Sequence, residues 1–168
     1  MRVYKIVRKQ GNARQCAVCG IDNEFGFDAR FYETDTDEVI CIFKTKEKQQ
    51  SFPDRVHGGV ISAVVDEAIG RAIWVYEPDV WAVTVNLELK YRQPVPLGEN
   101  LKCLARITRN TRKIMEGTGE IYLPDGTIAV SGHAKYFKVP LDEVFDQEVF
   151  ENQWVELGDE NDPTEITI

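Results

Sequence analysis

Asp66 is the residue whose type and setting most need a chemical explanation. It stands in the run 60–76, where Ile61, Val64, Val65, Ala68, Ile69, Ala72 and Ile73 recur at helical spacing, a band too wide for a surface stripe and too short for a membrane span. A carboxylate on a helix that buries most of its surface is costly as a charge unless a cleft solvates it or a partner holds it. That makes Asp66 a candidate functional group, with a carboxylate hydrogen-bonded to a loop as the plainer alternative. Ahead of it, His57-Gly58-Gly59 opens the helix. A helix N-terminus offers unpaired N–H groups and partial positive charge, and glycines let an acceptor approach that backbone. An oxyanion or a polarised carbonyl is held in this way. Around the same helix Gly59, Ala63, Asp66 and Gly70 form a track of small residues broken by the carboxylate, which predicts a close neighbour there. Glu67 and Arg71 read as an ordinary i,i+4 surface pair.

A second group with chemistry in it is Cys16-Ala17-Val18-Cys19-Gly20, whose spacing lets both sulfurs reach one metal ion or form a redox pair. Only half of a closed four-ligand site is present, and Cys41 and Cys103 lie in apolar strand-like runs where inert buried thiols are usual. No metal and no cofactor is assigned; a structural knuckle, a plain loop or an ion shared between subunits stay open. No Gly-rich phosphate loop and no serine-triad motif appears.

The elements that must position these residues follow from periodicity. Residues 28–32 and 39–43 are apolar, β-branched or aromatic, and Thr34-Asp35-Thr36-Asp37 between them is turn chemistry, so they read as a hairpin. After the helix, 81–92 alternates, with Trp81, Val83, Val85, Leu87, Leu89 and Tyr91 on one face and Ala82, Thr84, Asn86, Glu88, Lys90 and Arg92 on the other. Residues 100–108, 113–123 and 127–139 are further strands, the last two joined by the turn Pro124-Asp125-Gly126. One long helix between an early hairpin and an antiparallel meander gives an α+β fold, the sheet curling around the helix. From Pro140 onward the chain becomes acid-rich and loses its alternation, with Trp154 as one large anchor, which predicts an extension lying on the body and then a loose end. The chain thus divides into an arm at 1–27 carrying the two cysteines, a body at 28–139 and an acidic extension at 140–168.

A length of 168 residues with 43% hydrophobic content suits one domain with a real core. The formal net charge of −8 argues against a nucleic-acid surface, although a locally basic groove could still bind the phosphates of a carrier. Residues 1–15 contain no apolar run of signal-peptide length and nothing elsewhere approaches a membrane span, so a cytoplasmic protein without nucleic-acid or membrane partners is expected.

The run from His57 to Ala68, His-Gly-Gly-Val-Ile-Ser-Ala-Val-Val-Asp-Glu-Ala, resembles the signature of the hotdog-fold acyl-CoA thioesterases, the phenylacetate-type (PaaI-like) group in particular. In that family His-Gly-Gly begins the central helix and an acid follows nine positions after the His, the interval from His57 to Asp66. The likeness extends through 83–98, a strand ending in Tyr91, Pro94 and Leu97-Gly98, and covers about 28–138; only the helix motif is specific. The resemblance implies hydrolysis of an acyl-CoA or similar thioester to free acid and thiol. Asp66 would act as base or nucleophile, the Gly58 amide would polarise the carbonyl, and Thr84 would help hold the attacking water. His57 and Gly59 would line the substrate site. An upstream polar residue of the family falls at Ser51, with Gln50 beside it, so these two are candidate substrate contacts. The acid of one subunit works with the glycine amide of another, which implies a homodimer or a dimer of dimers. A hotdog acyl-thioester dehydratase or hydratase, and a non-catalytic acyl-CoA binding protein, are the alternatives.

Overall fold

In the computed structural model, which describes residues 1–158 and 160–168, the central apolar run forms helix α1 (Gly58–Arg71), continued by a 3-10 turn over Ala72–Val75. Ile61, Val64, Val65, Ala68, Ile69, Ala72 and Ile73 are each no more than 1% exposed, so the helix is wrapped rather than laid on a surface. What wraps it is one antiparallel sheet. The strands before the helix are β1 (Val3–Lys9), β2 (Asn12–Ala13), β3 (Arg30–Thr34) and β4 (Val39–Lys44). Those after it are β5 (Val80–Tyr91), β6 (Asn100–Asn110), β7 (Ile114–Tyr122) and β8 (Ile128–Pro140). The extension adds α2 (Leu141–Val144), α3 (Gln147–Gln153), β9 (Trp154–Val155) and β10 (Glu165–Thr167). The sheet order is β10-β1-β3-β4-β6-β7-β8-β5, and β2 pairs separately with β9. This is the α+β arrangement expected, a long helix inside a curled antiparallel sheet.

The predicted meander is present, and the turn after Leu123 is closed by Gly126 at φ 85°, a conformation glycine adopts without penalty. Three features depart from the sequence reading. The alternation expected over 81–92 is broken by a β-bulge: Thr84 pairs Tyr136 and Asn86 pairs Lys135, leaving Val85 as the extra residue. Ala82 and Thr84 therefore face α1 before the bulge, and Leu87 and Leu89 pack on the core after it. Second, the arm and the extension are part of the sheet. β1 pairs β3, β10 pairs β1, and Ile166 is 4% exposed, so the chain end is a strand and not loose.

The third departure concerns close approach. A Cβ at Gly117 would lie 2.6 Å from Ile69 Cγ2, and one at Gly132 would lie 2.8 Å from Val65 Cγ1. The tight seam is thus on the sheet, where Gly117, Gly119 and Gly132 let the helix side chains sit against backbone. On the small-residue side of the helix the contacts are looser, a Cβ at Gly59 lying 3.3 Å from the ring of the cap residue His57 and one at Gly70 lying 3.4 Å from the Tyr136 ring.

Candidate active site

Asp66 opens into a cavity of about 570 Å³ bounded by α1, the first half of β5, Tyr136 of β8, the arm at Cys16 and Cys19, and the extension. Its carboxylate is held from the sheet. The Thr84 hydroxyl donates to Asp66 Oδ1 at 3.0 Å and Oδ2 at 3.1 Å, and the Tyr136 hydroxyl donates to Oδ1 at 3.0 Å and to the Asp66 carbonyl at 2.8 Å. Thr84 and Tyr136 are directly paired across β5 and β8, so the bulge that turns Thr84 inward also places both hydroxyls on one carboxylate. Burial raises the Asp66 pKa above the usual carboxylate range, opposed by the hydrogen bonds from Tyr136 and Thr84. The Tyr136 hydroxyl is pushed well up, by burial first and then by the Asp66 charge, and stays a donor. An ionised carboxylate held on one edge, partly desolvated and facing a cavity, can take a proton from water or attack an electrophilic carbon.

The cavity wall opposite is aromatic. Trp74, Trp81, Phe145, Phe150 and Trp154 run as a chain of ring contacts, with centroids 5.6 Å apart for Trp74 and Trp81 and 5.0 Å for Trp81 and Phe145. Two of these rings come from the turn after α1 and from β5, and three from the extension. The surface suits an apolar group.

The helix start lies elsewhere. His57 caps α1, its Nδ1 accepting the Gly59 N–H at 3.0 Å, and the Gly58 N–H is the first of the helix, with no acceptor among the described residues. Tyr91 donates to the Gly58 carbonyl at 2.7 Å, and a shallower depression there is lined by Arg55, Gly58, Tyr91 and Arg92. Gln50 and Ser51 belong to the loop before the helix: Gln50 Oε1 accepts the Asp54 N–H at 3.3 Å, and the Ser51 N–H is spent on the Arg55 carbonyl. Neither lines the Asp66 cavity. Thr84 and Asp66 are brought together, and Gly58, Gly59, His57, Gln50 and Ser51 stand at the far end of the helix, about 12 Å away over eight residues at 1.5 Å rise.

Glu67 and Arg71 are not a surface pair. Arg71 is 4% exposed and lies over the Phe31 ring, with its guanidinium donating to Glu67 Oε1 at 2.9 Å, the Gly11 carbonyl at 2.9 Å and Cys19 Sγ at 3.0 Å. Cys16 Sγ in turn contacts Glu67 Oε2 at 3.0 Å. The helical spacing placed the two residues correctly relative to each other, but the arm that covers them comes from 51 residues upstream. Tyr136 and the aromatic wall are the functional candidates that sequence reasoning missed. For Tyr136 no local signal exists, since its partnership with Thr84 is a matter of register; Trp154 alone of the wall stands out in the sequence, as a large anchor in an acid-rich stretch.

Residues 54–130 match the family model described as the thioesterase superfamily. Human acyl-coenzyme A thioesterase 13 is 26% identical over 77 residues, 46% of this chain and 55% of that protein, so the chain spans about half the length of the curated relatives it matches. Among solved structures, a thioesterase superfamily protein superposes with a TM-score of 0.67 at 24% identity, covering 73% of this chain and 63% of that one. The E. coli PaaI protein from the phenylacetic acid degradation operon gives a TM-score of 0.61 at 14% identity, covering 67% and 80%.

Proposed function

We propose that this chain hydrolyses an acyl thioester to a free acid and a thiol, a reading supported by the match of residues 54–130 to the thioesterase superfamily model and by the hotdog architecture. Coenzyme A is the carrier this reading favours, because the matched curated relative is an acyl-CoA thioesterase. The single observation that carries the reaction is the Asp66 carboxylate fixed by Thr84 and Tyr136 on the wall of an apolar cavity. Asp66 takes a proton from water as the water oxygen bonds to the thioester carbonyl carbon; the C–S bond then breaks and the leaving sulfur accepts the proton. Thr84 keeps the carboxylate lone pairs aimed and stands beside the water it activates. The acyl group lies against the aromatic wall of Trp74, Trp81, Phe145, Phe150 and Trp154, which favours an apolar or aryl acyl chain.

Polarising the carbonyl needs a donor, and the Gly58 N–H of the same chain is about 12 Å along the helix from its Asp66. A second copy supplies it. β5 is an edge strand twelve residues long, with Val83 45%, Val85 59% and Tyr91 52% exposed, the kind of edge that a two-fold partner covers. In that dimer the Gly58 N–H of one protomer stabilises the oxyanion formed at Asp66 of the other. Arg55 and Arg92 beside Gly58 supply positive charge for the phosphates of the carrier. A dehydratase is the weaker reading, because neither histidine lines the cavity: His57 is engaged as a helix cap and His133 lies near Glu116 on a half-exposed sheet face.

The test is a panel of acyl-CoA substrates of graded size and polarity with detection of free thiol. Thiol release, fastest for apolar and aryl acyl groups, is expected. Products that keep the thioester intact would point to dehydration, and binding without turnover would leave only a carrier-binding protein.

A further inference from the structure

We propose that Cys16, Cys19 and Glu67 form a binding site for a borderline divalent metal ion of the Zn²⁺ class, clipping the N-terminal arm to α1. The ligand atoms of these three residues lie within 4.8 Å of one another, close to the ~3.8 Å edge of a tetrahedron built on Zn–S bonds of ~2.3 Å. All three line the Asp66 cavity, so the ion would have three protein ligands and a fourth position open to the cavity for water.

The arm is shaped for this. The N–H groups of Val18 and Cys19 both point at Cys16 Sγ, at 3.3 Å and 3.4 Å, while the Gly20 N–H donates to the Cys16 carbonyl at 2.9 Å. Backbone donors aimed at a sulfur favour its thiolate form, the form that binds a metal. The turn also requires glycine after the second cysteine, since a Cβ at Gly20 would fall 2.3 Å from the Cys16 carbonyl oxygen. On the other side Arg71 donates to Cys19 Sγ and to Glu67 at once. Both are ligands in the proposed site, and their second partner is a fixed cation that holds them in place.

Charge decides which occupant fits. Two thiolates and the Glu67 carboxylate bring three negative charges, and Arg71 returns one positive charge, so a divalent ion completes the balance in a partly buried site. Soft sulfur with one carboxylate selects zinc over calcium or magnesium. Cys41 and Cys103 are wholly buried on adjacent strands and do not belong to the group of converging ligand atoms.

The full chain, purified under reducing conditions without chelator, should carry about one zinc per chain. After chelator treatment it should take up Co²⁺ with a near-ultraviolet thiolate charge-transfer band and the strong red ligand-field bands of a tetrahedral site. Cys16→Ser should lose the charge-transfer intensity of one sulfur and retain under about a tenth of the zinc, and Glu67→Gln should keep both sulfur bands with affinity down at least about tenfold. Asp66→Asn, outside the cluster, should bind the metal as wild type does, so failure of this site and failure of the hydrolase reading are separable. Should Cys16→Ser not fold, zinc protection of the wild-type thiols against alkylation replaces it. Absence of zinc and of any Co²⁺–thiolate band in the folded wild-type protein would overturn the proposal, as would undiminished binding in folded Cys16→Ser.

Discussion

At the scale of single residues, Asp66 is pulled two ways. Burial raises its pKa, and the hydroxyls of Tyr136 and Thr84 lower it again. A carboxyl whose folded pKa stands above its unfolded value stabilises the fold fully below the unfolded pKa, and that contribution is lost as pH rises through the folded pKa. The ionised form of Asp66, the form the proposed hydrolysis uses as a base, is therefore the one that weakens the fold. Removing a donor should sharpen the conflict. In Tyr136→Phe the folded pKa of Asp66 rises further, so the acid limb of kcat/KM should move to higher pH, and Thr84→Val should move it the same way by less. Tyr136 is a positioning residue in this account, and an acid limb left in place by Tyr136→Phe would show that it does not act through Asp66.

Among the elements, the contact that sets the helix against the sheet is the one between Val65 and Ile69 of α1 and three strand glycines. A methyl group at Gly117 would meet Ile69 Cγ2 at 2.6 Å and the Arg106 carbonyl oxygen at 2.8 Å, and backbone cannot step aside. Gly117→Ala should cost about 1–3 kcal/mol, read as a lower denaturation midpoint, whereas Gly59→Ala, whose Cβ meets only the ring of His57, should shift it far less. Equal midpoints for the two would contradict the packing described. The helix, the hairpin and the meander were legible because each carries its own period, 3.6 or 2, within one segment. The bulge at Val85 was not, because a single extra residue is fixed by pairing with β8. The strands β1 and β10 escaped notice for a related reason: β10 is three residues long, β1 is interrupted by Lys5, Arg8 and Lys9, and both are strands by virtue of the edge they join. At the site, the interval from His57 to Asp66 could be seen in the sequence, while Tyr136 and the junction of Cys16, Cys19, Glu67 and Arg71 depend on long-range register that composition does not encode.

For the whole molecule, the start of one helix and a point about 12 Å along it hold groups that the proposed reaction needs within reach of one carbonyl. The extension closes the Asp66 end with Phe145, Phe150 and Trp154, and the Gly58 end faces outward beside β5. A two-fold dimer across β5 should appear by light scattering at micromolar concentration, and Val85→Lys, a charge on its exposed edge, should shift the protein toward monomer with loss of turnover. A fully active monomer would remove the shared oxyanion donor. No helix among the described residues is long and apolar enough to cross a membrane. The most direct measurement is the kcat of Asp66→Asn for acyl-CoA hydrolysis. Asn keeps an acceptor for Thr84 and Tyr136 but is far less basic, so kcat should fall by about 10² to 10⁴ with KM moving much less and the melting temperature not lowered. Hydrolysis of acyl-CoA by Asp66→Asn at the wild-type rate would contradict the account.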